Sequence, residues 1–263
     1  MSPPISARQS PVWHRPLRYL PGFLIPALAT ISLLLPGFWA WLTVIVTFGF
    51  FPAIELFRAG SPDNLDPAEE AAARQNRGYV ILLYAMVPIQ YGLLATYLVR
   101  IANHQYQDLF TLTGATFAMG IACGVLGINV AHDLGHRRRR SEQALAKALL
   151  LTSLYLHFFI EHNRGHHALV GTDEDPASAR YGESLFRFLP RTLVGSLISA
   201  WQLERDRLAK RGQGPVTWKN QLTRANRGAS WRALPAISLP FPSTPMATAI
   251  QWPRATRPMA ATR

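Results

Sequence analysis

The chain has 263 residues, 49% of them hydrophobic and only 16% charged, which excludes intrinsic disorder over most of its length. A single cysteine, Cys123, excludes a disulfide framework and a cysteine-built zinc or iron–sulfur site. The net charge of +12 is not a nucleic-acid signature: up to Asp206, 17 Lys+Arg face 15 Asp+Glu, and from Arg207 onward ten Lys+Arg meet no acid.

In chain order, a short arginine-bearing arm (1–16) leads into four apolar runs at residues 17–35, 38–54, 79–99 and 109–131. Pro21, Gly22 and Pro26 interrupt the first, and Pro36-Gly37 makes the turn into the second. Crossing ~30 Å of hydrocarbon takes roughly 20 apolar residues, so residues 17–131 are expected to form a bundle of four transmembrane helices. Too few charges line these runs to give them the polar face of a soluble helix. No cleaved signal peptide is expected, because the first run passes straight into the second.

Arg8, Arg15 and Arg18, then Arg58, Arg74 and Arg77, then Arg137–Arg140 fall on one side of such a bundle. The positive-inside rule makes that side the cytoplasm. Beyond residue 131 the pattern changes. Residues 144–160 read as one apolar helix, lying at the membrane surface or packed beneath the spans, and 171–183 as polar loop. Residues 185–201 read as an interfacial helix, with Arg187 and Arg191 opposite Phe186, Phe188, Leu189 and Val194. From about Asn220 the periodicity vanishes among Pro235, Pro240, Pro242, Pro245, Pro253 and Pro258. The expected fold is an all-α membrane protein: four spans, a cytoplasmic histidine-rich helical region (132–220) and a disordered tail (221–263).

The histidines carry the chemistry. Five of eight fall in two clusters, His132/His136 and His162/His166/His167. Imidazoles four apart share one helical face and can chelate one ion, and imidazole suits zinc, copper, iron and nickel. The first cluster has Asp133 where a zinc-protease helix has glutamate, and five histidines exceed what one tetrahedral zinc uses. Two metal ions are the better fit. Asp133 has two readings: a partner orienting a ligand ring N–H, as carboxylates do beside metal-bound histidine, or a surface acid paired with Arg137. His157, inside an apolar stretch, reads as a satisfied core histidine. His104 falls at the far side of the membrane, and Cys123 reads as packing.

At these residues the chain resembles the integral-membrane alkane 1-monooxygenases (alkane omega-hydroxylases) of the histidine-box di-iron superfamily. Residues 129–137 (NVAHDLGHR) are similar to that family's first box, and 161–167 (EHNRGHH) to its second. The stretch 172–184 (TDEDPASARYGES) with 187–191 (RFLPR) resembles the segment that follows. The resemblance implies His132, His136, His162, His166 and His167 as iron ligands, with Asp133 and Glu161 as outer partners. It also implies a dinuclear iron centre hydroxylating the terminal methyl of an n-alkane with dioxygen. Electrons would come from rubredoxin and its NAD(P)H-dependent reductase, and the bilayer would surround the spans.

The family also carries a third histidine box and two further spans downstream, whereas this sequence has no histidine after His167. The acid-free, Arg- and Pro-rich tail reads as out-of-frame translation joined between about Asn220 and Gly228, the alternative being a genuine but divergent C-terminus. The expectation is therefore an incomplete hydroxylase lacking alkane turnover. The alternatives are an inactive membrane fragment, or a related histidine-box desaturase or aryl-methyl hydroxylase.

Overall fold

A computed structural model describes residues 19–58 and 76–223, and every regular element among them is helical. The expected N-terminal arm and all but the first residues of the expected tail lie outside the described residues, as does Arg74.

The first element is tightly wound from Tyr19 and becomes α1 (Leu24–Leu34). The apolar stretch Tyr19–Leu34 spans roughly 24 Å at 1.5 Å per residue, short of the ~30 Å of hydrocarbon. Leu35 turns extended after it, and Gly37 follows at φ +65. Among the described residues, three elements are long and apolar enough to cross a membrane: α2 (Gly37–Phe57), α3 (Arg77–Ala102) and α4 (Leu109–Gly135). The chain is a multi-pass membrane protein. Asn76 caps α3 by accepting the Gly78 N–H, and Asp108 caps α4 by accepting that of Thr111. The Thr111 hydroxyl also accepts the Gly37 N–H at 2.9 Å, tying the start of α2 to that of α4.

Small residues let these helices approach, as they do in membrane bundles. A Cβ on Gly114 would lie 2.8 Å from Trp41 Cδ1 and 2.9 Å from the Ala40 carbonyl. Ile25, Ala29 and Leu33 of α1 pack with Leu93 of α3 and with Ala115, Met119, Ala122 and Leu126 of α4 into one buried core. A second core joins Ala131 and Leu134 to Ala146, Leu149 and Leu150 of α5 (Arg140–Leu151).

The expected single helix over 144–160 is broken. α5 ends at Leu151 and α6 starts at His157 (His157–Glu161). The amides of Leu154 and Tyr155 bond back to the carbonyls of Leu151 and Leu150, with Leu154 left-handed at φ +56. This is a Schellman stop with leucine where glycine is usual. The Thr152 and Ser153 hydroxyls bond the Leu149 and Leu150 carbonyls, competing with helix continuation. After the loop, α7 (Leu185–Ala209) is amphipathic as expected but runs eight residues past 201. It buries Ser196, Ala200, Glu204 and Leu208, while Phe186, Leu189, Leu193 and Leu197 stay exposed.

Candidate metal centre

Two segments build the site. In α4, a π-wound stretch (Cys123–Asn129) precedes the regular turn Val130–Gly135 that carries His132 and leads to His136. α6 runs into a π turn (His162–His166) and a last short turn (His167–Leu169). Gly135 faces the second segment, where a Cβ would lie in ordinary contact with the Phe159 ring at 3.6 Å. Phe158 stacks on the His162 ring, with centroids 4.7 Å apart and planes 13° from parallel.

The two histidine clusters converge. His136 Nε2 lies 3.1 Å from His132 Nε2, 3.2 Å from His162 Nε2 and 3.4 Å from His167 Nε2, and the last two are 3.2 Å apart. Donors ~2.1 Å from one ion sit ~3.0 Å apart at octahedral edges and ~3.4 Å at tetrahedral ones, so each of these contacts suits two donors on one ion, and the ligand atoms of His132, His136 and His162 all lie within 4.8 Å of one another. Neutral imidazole is the donor form, and the site favours it. Burial lowers His162 to about 4, helped by the neighbouring imidazoles. Burial and then His132 and His167 lower His136, against the pull of Asp133.

His166 behaves differently. Its Nδ1 lies 2.8 Å from Asp175 Oδ2, and Asp175 is only 1% exposed. Burial pushes the Asp175 carboxyl up, but the Ser178 hydroxyl, the Ala177 N–H and His166 together hold it below the usual range. Ionised Asp175 therefore accepts the Nδ1–H, which leaves Nε2 as the ring's free donor atom. Glu183 and Arg191 brace this loop through a 2.6 Å ion pair, and Arg191 also donates to the carbonyls of Pro176 and Ser178.

Residues 109–253 match the family model described as fatty acid desaturase, more than half of the chain. The chain belongs to the fatty acid desaturase family. It is similar to alkane 1-monooxygenase 2 of Pseudomonas aeruginosa, 34% identical over 205 residues, which cover 78% of this chain and 53% of that protein. Alkane 1-monooxygenase 1 of the same organism is 37% identical over 188 residues, 71% of this chain and 49% of that one. The xylene/toluene monooxygenase hydroxylase component of Pseudomonas putida is 25% identical over 211 residues, 78% and 54% respectively. The chain spans about half the length of the curated relatives it matches.

Within this desaturase-family chain the sequence reading needs refinement at several positions. The converging pair in the second box is His162 with His167, five apart, and not the four-apart pair His162 with His166. Asp133 meets Arg137 at 3.0 Å, the second of its two readings. The carboxylate that does reach a histidine ring nitrogen, Asp175, was missed as such; its signal lay in the loop string 172–184. Glu161 is 2% exposed and its Oε1 has no hydrogen-bond partner among the described residues; burial and then Asp175 raise its pKa. His157 is not satisfied. It packs against Tyr155 with ring centroids 4.4 Å apart, and its buried Nε2 meets no partner among the described residues. Burial lowers its pKa, so it packs as a neutral ring. His104 sits in the turn between α3 and α4, a roughly 35 Å length of helix from His132.

Proposed function

We infer that this chain is an alkane 1-monooxygenase-like protein in which His132, His136, His162 and His167 hold one iron of a centre that is dinuclear in its complete form. The observation that carries the reading is the close group of His132, His136 and His162 at the end of a membrane-length helix, with His167 Nε2 3.4 Å from His136 and 3.2 Å from His162. Alkane 1-monooxygenases are the relatives most similar in sequence among those compared above. Iron bound there would supply the redox chemistry by which dioxygen attacks an unactivated methyl group. The chain's own residues do the positioning. Phe158 fixes the His162 ring by stacking, Asp175 fixes the tautomer of His166, and Glu161 underlies the turn that carries both. His166 keeps Nε2 for a metal, and Asp133 acts through Arg137.

The arrangement fits an inner-membrane protein with both histidine boxes on the cytoplasmic side, where rubredoxin and its NAD(P)H-dependent reductase would deliver electrons. Among the described residues, no second group of three His, Cys, Asp or Glu donors comes together. A second ion would need further donors, so this 263-residue polypeptide is expected to bind a single iron and to form no alcohol from alkanes by itself. The test has two readouts: anaerobic iron stoichiometry of the purified chain, and octane-to-octanol conversion in membranes supplied with rubredoxin, reductase and NADH. Absence of iron binding refutes the site; octanol formation refutes the single-ion reading.

A further inference from the structure

The second histidine box is wound as a π turn, and this decides which histidine faces the others. In a regular α-helix His162 and His166, four apart, share a face, while His167 is turned away from it. Here the i→i+5 winding of His162–His166 widens the turn. His167 Nε2 comes to 3.2 Å from His162 Nε2, and His166 gives its Nδ1 to Asp175. Beneath the turn lies Glu161, 2% exposed, with Oε1 unpartnered among the described residues. Gly165 leaves the space that this oxygen uses. A Cβ at 165 would stand 2.8 Å from Glu161 Oε1, 3.1 Å from Ser199 Oγ and 3.3 Å from Leu203 Cδ1. The last two belong to α7, so a side chain at 165 would press on Glu161 from one side and on α7 from the other and would displace the Glu161 carboxylate first.

We propose that Glu161 and Gly165 act as a register latch. The carboxylate, seated against the Gly165 backbone and backed by Ser199 and Leu203, keeps the box in its wide turn. It thereby selects His167 over His166 as the fourth donor beside His132, His136 and His162. Both are positioning residues, and the inference rests on the metal-binding reading given above.

Cobalt(II) titration of the purified full chain in detergent tests it, with visible d–d absorption reporting donor number and geometry. In the native background, His167→Ala is expected to weaken cobalt binding at least about tenfold and to change the spectrum, whereas His166→Ala costs less than about threefold. In a Gly165→Ala background the order reverses: His166→Ala becomes the costly change and His167→Ala becomes silent. Glu161→Ala, which adds no bulk, should shift the spectrum in the same way as Gly165→Ala. Glu161→Gln, of the same size, should restore most of the native signal. Far-ultraviolet circular dichroism establishes that each variant is folded, and if Gly165→Ala is not, Glu161→Ala carries the same histidine comparison. Failure of the native chain to bind cobalt sinks the metal reading itself. Binding with the costs of His166→Ala and His167→Ala in the same order in both backgrounds overturns the latch alone.

Discussion

Replacing Glu204 by alanine should destabilise the protein and loosen the second histidine box together. Glu204 lies on α7 with 0% exposure. Its carboxylate accepts from Arg207 at 2.8 and 2.5 Å, from Arg164 at 3.3 Å and from the Gln221 N–H at 2.8 Å. Arg164 sits between His162 and His166, so this carboxylate ties the π turn to α7. Breaking a buried ion pair from one side costs ~3–5 kcal/mol when the orphaned charge stays buried. Here the side chains of Arg164 and Arg207 are 38% and 22% exposed and regain water, which reduces the expected loss to about 2–3 kcal/mol. At ~2–4 °C per kcal/mol for a chain of this size, the melting temperature should fall by roughly 4–12 °C. Glu204→Gln keeps the shape and one acceptor, and about half the loss is expected. Thermal unfolding in detergent, followed by circular dichroism, measures both variants. A fall of less than ~2 °C for Glu204→Ala, below the cost of one such hydrogen bond, would refute the argument.

His136 is the hub of the four nitrogens, so His136→Ala should weaken iron binding more than His166→Ala does, by at least about tenfold; calorimetric titration under anaerobic conditions compares them. Leu154 is exposed and left-handed, so Leu154→Gly should stabilise the chain by up to ~1 kcal/mol in the same melting assay. Glu183 has its pKa lowered to about 2, chiefly by its hydrogen bonds from Arg191. The unfolded carboxylate titrates near ~4.3, so this pair contributes its full stabilisation above that pH and loses it as pH falls toward 2. Hydrogen exchange at the Ala177 and Arg180 amides should show protection that is flat above pH 5 and declines below it, whereas Glu183→Gln flattens the profile.

Long-range hydropathy was legible: α2, α3 and α4 lie where uncharged apolar runs predict them, because length and composition alone decide whether a helix spans. The pairing of the two histidine clusters was legible as well, since both follow elements that end at the same side of the bundle. Local windings were not. A π turn arises from what packs beneath one residue, here Glu161 and α7 against Gly165, and that neighbour is 34 positions away at Ser199. The same holds for the stop at Leu154, where a leucine occupies the left-handed position that glycine would advertise. Asp175 was hidden for a third reason. Its role depends on a loop folded back by Arg191, and loop geometry leaves no periodicity to read.

His132, His136 and His167 are all exposed among the described residues. A coordination shell open on that side exchanges its ion at a rate set by ligand dissociation and chelator attack, with no protein opening required first. Loss of metal to a competing chelator should then proceed with the protein still folded, and its half-life should track chelator concentration more closely than temperature.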